Sequence, residues 1–179
     1  MSFGFPVISA DSHITEHPDT YVNHIDAKWK DKAPRMVHSE EKGALFVIDG
    51  MDRPISMSLI AAAGKKPEEI NESGDSFDSL HRGGWDPTAR LGEQDRDGVA
   101  AEVIYPSVGM LLCNHKDFAY KDACFAAYNR WIAEYCSHSP TRLLGCGQTA
   151  ATDPASTIAD LRDIKRLGLP GVMMSGNPG

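Results

Sequence analysis

No stretch of about 18 consecutive apolar residues occurs in this chain of 179 residues, so its sequence offers no membrane-spanning helix. The first residues lack the basic stretch and apolar core of a secretory signal. No G-x-G-x-x-G follows an apolar run, which leaves a dinucleotide-binding reading without support. Cysteine is scarce: Cys113, Cys124, Cys136 and Cys146 form no C-x-x-C pair and read as reduced core or loop thiols. An excess of basic residues is also missing. The net charge of −7 argues against general affinity for nucleic acid or anionic membranes. A local arginine or a metal could still attract an anionic substrate. The expectation is a cytoplasmic protein with a small-molecule substrate and no nucleic-acid or membrane partner.

What is present begins near the amino terminus. Val7-Ile8-Ser9-Ala10 runs into Asp11-Ser12-His13-Ile14-Thr15-Glu16-His17. A short apolar strand over residues 6–10 ends in a carboxylate and an imidazole two positions apart. In extended backbone, residues i and i+2 point to the same side. Asp11 and His13 are therefore candidate metal ligands converging just beyond the strand's carboxyl end. Zn²⁺ accepts such a mixed oxygen and nitrogen set. The same stretch also matches H-x-x-E-H, a zinc-protease pattern that requires both histidines on one helical face. Pro18 pushes His17 away from helical dihedrals, and the preceding run reads as a strand, so that alternative is set aside. Asp95-Arg96-Asp97-Gly98 has the start of a calcium loop, but Ile104 stands where its glutamate belongs.

Further elements follow in alternation. Residues 20–29 read as a short helix, and 44–49 with 54–59 as a hairpin turning at Asp49-Gly50. Residues 65–81 are polar and read as an exposed loop. Asp86-Pro87 is a helix start for a helix over 88–97, closed by Gly98. An apolar strand over 101–105 comes next, then a long helix over 117–138. The stripe Cys124, Tyr128, Trp131, Tyr135 gives that helix a packing face. Residues 143–147 form a strand. Asp153-Pro154 starts a helix to Leu167, Gly168 ends it, and 171–174 form the last strand.

Strands that are short and apolar without alternation suit a parallel sheet covered on both faces. Two architectures fit this order: an open doubly wound sheet, or the first half of a (β/α)₈ barrel. A full barrel needs about 250 residues. The ending at Gly176-Asn177-Pro178-Gly179 is accordingly expected to be a truncation.

Several segments together resemble a known family. They are Ile8-Ser9-Ala10-Asp11-Ser12-His13 with Glu16, Trp85-Asp86-Pro87 with Arg90-Leu91, and Asp95-Arg96-Asp97-Gly98-Val99 leading into Val103-Ile104-Tyr105-Pro106. Tyr128-Asn129-Arg130-Trp131, Pro140 with Arg142-Leu143, and Asp153-Pro154 with Leu167-Gly168 continue the series. In order and spacing they are similar to the amidohydrolase-related branch of the amidohydrolase superfamily. That branch holds metal-dependent hydrolases and the non-oxidative decarboxylases similar to aminocarboxymuconate semialdehyde decarboxylase.

The resemblance implies an α/β fold, the amino-terminal half of a (β/α)₈ TIM barrel of about four parallel strands. Residues 1–179 would form a partial barrel domain, with a hairpin and loop insertion at about 14–85. It implies a divalent metal, zinc first and manganese as the alternative, with Asp11 standing where the family often has histidine and His13 in the second slot. The remaining ligands and acid/base groups would lie beyond Gly179. Catalytic residues are thus left unassigned. Arg82, Trp85 and His115 are the candidates for substrate contact, Arg82 as a fork for a carboxylate.

The activity implied is hydrolysis or decarboxylation of a small carboxylated or cyclic substrate, by a protein that is a homo-oligomer when complete. The alternative is a non-catalytic fragment, or a subunit that pairs with another half-barrel.

Overall fold

A computed structural model describes residues 4–71 and 76–174 of the chain. The expectation drawn from Gly176–Gly179 lies outside these residues, as does the centre of the polar stretch, 72–75. Its backbone elements are β1 (Val7–His13), α1 (Asp19–Val22), β2 (Arg35–Ser39), β3 (Gly43–Val47), β4 (Ile55–Ser56) and α2 (Met57–Ile60). After these come α3 (Pro87–Asp97), β5 (Val99–Tyr105), α4 (Val108–Leu112), α5 (Phe118–Cys136), β6 (Leu143–Gln148), α6 (Pro154–Arg166) and β7 (Gly171–Met173).

The main sheet has the order β1-β5-β6-β7, with every neighbouring pair parallel. Successive strands lie side by side with no reversal of order, which removes the doubly wound alternative. The four strands are half of a (β/α)₈ barrel. The insertion after β1 carries a second, antiparallel sheet in the order β2-β3-β4.

Local chemistry explains the long elements. The Asp86 carboxylate accepts the amides of Thr88 and Ala89, and Gly98 leaves α3 at φ +70°, where a side chain would be strained. Asp117 and Asp153 cap α5 and α6 in the same way. The buried face of α5 includes Cys124, Tyr128, Ile132 and Tyr135. Each large apolar side chain removed from water there contributes about 1.5–3 kcal/mol. Helix α5 comes so close to β6 that a Cβ at Gly145 would lie 2.8 Å from Cys136 Sγ and 2.9 Å from Ile132.

The structure corrects several sequence expectations. Strand β1 runs on through His13 instead of ending at residue 10. The helix expected over 20–29 is one α-helical turn, α1, followed by a 3₁₀ turn at Ala27–Lys32. The hairpin expected from 44–49 and 54–59 exists only as β3 with the two-residue β4, because Met57–Ile60 turns helical. The longer hairpin pairs Arg35–Ser39 with Gly43–Val47, using a turn the sequence reading passed over. Helix α4 was also not foreseen. The four cysteines are free thiols.

Candidate metal centre on the first strand

Parallel pairing with β5 is interrupted in β1: Ser9 lies opposite Glu102 and Ser12 opposite Ile104. Ala10 and Asp11 together therefore face the single residue Val103, a bulge that re-aims the following side chains. Beyond it, Asp11 Oδ1 stands 3.6 Å from His13 Nε2. Two ligands on one tetrahedral zinc ion are about 3.4 Å apart, so the spacing fits a shared ion. His13 Nδ1 donates to the Pro106 carbonyl at 3.0 Å. That bond places the ring proton on Nδ1 and leaves the Nε2 lone pair free on the side of Asp11, the orientation metal-binding histidines adopt. The Asp11 side chain is 87% exposed and that of His13 39%. Among the described residues no third His, Cys, Asp or Glu completes a three-ligand cluster with them.

Tyr105 is the residue directly across the sheet from His13, its ring 5.9 Å away. In the sequence Tyr105 is marked by the resemblance and by its place at the end of the strand over 101–105, and neither places it beside His13. The pairing of strand ends was the signal that could have found it. Glu16 was missed in the same way. Its side chain is fully buried, and Oε1 accepts the amides of Ser107 and Gly109 at 3.0 Å each. Burial pushes its carboxyl above the ordinary value, although those and neighbouring backbone amides pull in the other direction.

A cavity of about 520 Å³ reaches His13 and is lined also by His81, Arg90, Glu93, Glu102 and Ser107. The three sequence candidates for substrate contact do not line it. Arg82 is 71% exposed and its guanidinium holds the chain's own Asp86, with Nε and Nη2 at 2.8 and 2.7 Å from one carboxylate oxygen. Trp85 lines a separate groove of about 230 Å³ with His17, Trp131 and Tyr135. His115 is buried. Its Nε2 donates to the Asp49 carbonyl at 2.8 Å and its Nδ1 accepts the Asp117 amide at 3.1 Å, so both nitrogens are engaged within the protein. The structure thus brings Asp11 and His13 together and leaves Arg82, Trp85 and His115 elsewhere.

No family model matches this sequence. A 2-amino-3-carboxymuconate-6-semialdehyde decarboxylase of Dictyostelium discoideum is 33% identical over 111 residues, covering 58% of this chain and 29% of that protein. In fold, the chain is similar to an amidohydrolase from Mycobacterium avium subsp. paratuberculosis. The TM-score is 0.71 at 19% identity, over 97% of this chain and 50% of that one. It is similar as well to a 5-carboxyvanillate decarboxylase from Novosphingobium aromaticivorans, solved with manganese and 3-methoxy-4-hydroxy-5-nitrobenzoic acid. Here the TM-score is 0.57 at 16% identity, over 98% of this chain and 43% of that one. The chain spans half or less of the length of these proteins. In sequence and fold together, it resembles the amino-terminal half of the amidohydrolase-related barrel proteins, the branch similar to aminocarboxymuconate semialdehyde decarboxylase.

Proposed function

We propose that this chain is the amino-terminal part of a metal-dependent hydrolase or non-oxidative decarboxylase, with Asp11 and His13 as its first metal ligands. The substrate class is a small carboxylated or cyclic molecule. Zinc is the first choice of metal and manganese the second, and the complete protein is proposed to be a cytoplasmic homo-oligomer. The observation that supports this reading is the pair itself. At the carboxyl end of the first strand, where barrel proteins place their chemistry, a carboxylate oxygen and an imidazole whose Nδ1 donates to Pro106 stand 3.6 Å apart. A divalent ion held there supplies Lewis acidity toward a carboxylate, carbonyl or water oxygen. His13 contributes its ring Nε2, oriented by the bond from Nδ1 to Pro106, and Asp11 contributes carboxylate oxygens from an exposed position. Tyr105 provides an aromatic wall beside them.

The test is metal uptake. Equilibrium dialysis of the purified chain against Zn²⁺ and Mn²⁺ should show one site, weak because two protein ligands hold zinc less well than three. His13→Ala and Asp11→Ala should each abolish it. Unchanged stoichiometric uptake by His13→Ala would refute the assignment.

A second reading, that this chain pairs with another half-barrel, is favoured by β1. Val7 and Ile8 are 44% and 54% exposed on a strand that has a partner on one side only among the described residues. Light scattering should find self-association that Ile8→Lys reduces. A stable monomer in the unmodified chain would count against pairing.

A further inference from the structure

Behind the strand that carries Asp11 and His13 lies a buried polar network centred on one arginine. Arg90, on α3, is 8% exposed. Its Nη2 donates to the backbone carbonyl of His13 at 2.6 Å and its Nε to the carbonyl of Gly83 at 2.8 Å. Its Nη1 lies 3.4 Å from Glu102 Oε2. The same Glu102 oxygen accepts from Gln94 Nε2 at 2.9 Å, and the other accepts from Ser12 Oγ at 3.3 Å. Ser12 in turn meets Ser9 Oγ at 2.8 Å, across the bulge. Next to this, the Thr15 amide donates to the Gly84 carbonyl at 2.7 Å.

We propose that Arg90 is a positioning residue of the metal centre: it holds the His13 end of β1 against the turn at residues 83–84. This rests on the reading of Asp11 and His13 as ligands. The argument is one of geometry. A side chain can direct Nε2 only as well as its own backbone is fixed, and β1 has a strand partner on one side only among the described residues and is weakened by a bulge at Ala10 and Asp11. Pairing with β5 fixes one side of the strand. Among the described residues, the cationic fork that grips the His13 carbonyl is Arg90, and it grips Gly83 with a different nitrogen of the same rigid plane. Glu102, 3.4 Å from Nη1, supplies a counter-charge, so the guanidinium is not buried alone. A lysine has one nitrogen head and cannot span both carbonyls in a fixed relation.

The expected consequence is a loss of metal affinity from a residue that touches no metal. Partners that orient ligands in this way typically account for about 10- to 100-fold in affinity. A second consequence is shared with the turn: without Arg90, the hydrogen bond from the Thr15 amide to Gly84 loses its neighbouring support and that amide exchanges faster.

The experiment uses the full chain and Mn²⁺ alone, titrated by electron paramagnetic resonance of the free ion, with amide exchange at Thr15 followed in parallel. Arg90→Lys is the first variant. Arg90→Met with Glu102→Gln is the second, which removes both charges and so leaves no unpaired carboxylate to unfold the protein. Arg142→Lys is the control: Arg142 grips the carbonyls of Val99 and Ala100 at the opposite end of β5 and pairs with Asp95. The proposal expects Mn²⁺ affinity to fall at least about tenfold in both Arg90 variants, with faster exchange at Thr15, while Arg142→Lys binds as the unmodified chain does. Full affinity in both Arg90 variants, or an equal loss in Arg142→Lys, would overturn the positioning role and leave the metal assignment standing. Absence of any Mn²⁺ binding that depends on His13 in the unmodified chain would overturn the metal assignment itself, and the positioning role with it.

Discussion

Glu16 and Gly109, 93 positions apart in sequence, are joined where the segment after β1 meets the first turn of α4: Glu16 Oε1 accepts the Gly109 amide at 3.0 Å and shares that oxygen with the Ser107 amide. Two backbone donors that would otherwise be buried without partners are satisfied by one carboxyl. Glu16→Ala should cost about 3 kcal/mol, since each orphaned buried donor costs about 1–3 kcal/mol. Glu16→Gln keeps an acceptor in place and changes the pH response instead. The folded carboxyl keeps its proton above its ordinary value of 4.5 because burial outweighs the backbone hydrogen bonds. The folded state therefore binds more protons than the unfolded state from about pH 4.5 up to the folded value, and stability falls as pH rises through that window. Urea midpoints across this range should fall less steeply in Glu16→Gln than in the unmodified chain. Parallel curves would show that Glu16 does not titrate this way.

At the start of α3 the linkage has the opposite sign. Burial works against the charge of Asp86, but hydrogen bonds from Ala89, Arg82 and Thr88 outweigh it and hold the carboxyl below the usual 3.8. Stability contributed by this cap is present above pH 3.8 and is lost as pH falls through the folded value. Asp86→Ala should cost about 1 kcal/mol at neutral pH, and the difference from the unmodified chain should shrink on acidification. Thermal melts at neutral pH and at pH 3 provide the comparison. A deficit that persists at the acid end would point to lost packing and not to the charged cap.

Gly147 on β6 supports α6 by having no side chain. A Cβ there would meet Ile164 carbons at 2.9, 3.0 and 3.1 Å. Gly147→Ala should destabilise by about 1–3 kcal/mol through overpacking. Ile164→Ala should cost about 2–5 kcal/mol through the cavity it leaves. Together they should cost less than the sum, because the new methyl group enters the vacated space. Strict additivity in a double-mutant cycle would mean the two positions do not compete for that space.

Thiol labelling offers a test of the packing around α5. Burial raises all four thiols, Cys124 to about 12 and Cys136 to about 11. Cys113 is the one that is not fully buried. Iodoacetamide at pH 8 should modify Cys113 first and slowly, and the other three only after denaturant is added. Rapid labelling of Cys124 in the native protein, read by mass spectrometry, would contradict the buried face assigned to α5.

The strands, the capped helices and the order of the main sheet were legible in the chain itself, because their causes are local. Asp86, Asp117 and Asp153 satisfy the first amides of their helices, Gly98 and Gly168 take the positive φ at which helices end, and short apolar runs joined by helices pair in parallel. The Asp11 and His13 spacing was legible for the same reason: two positions apart in a strand puts two side chains on one face. The insertion was read poorly. Val37 and His38 pair with Leu45 and Ala44 in a hairpin whose turn over residues 40–42 carries no Asn-Gly or Asp-Gly signal, and the run expected to continue as a strand turns helical at Met57.

The sequence by itself determined the strands and capped helices of the main sheet, their parallel order and the presence of a carboxylate and an imidazole at the end of its first strand. Tertiary structure decided what those residues can do. The bulge opposite Val103 aims the pair, Pro106 fixes the His13 ring, and the guanidinium of Arg90, 77 positions away, reaches the His13 backbone. It also turned His115 toward Asp49. The physical reason is range: dihedral preference and capping act within a few residues, whereas the partner that takes a lone pair or a proton is chosen by whichever group the fold brings within about 3 Å.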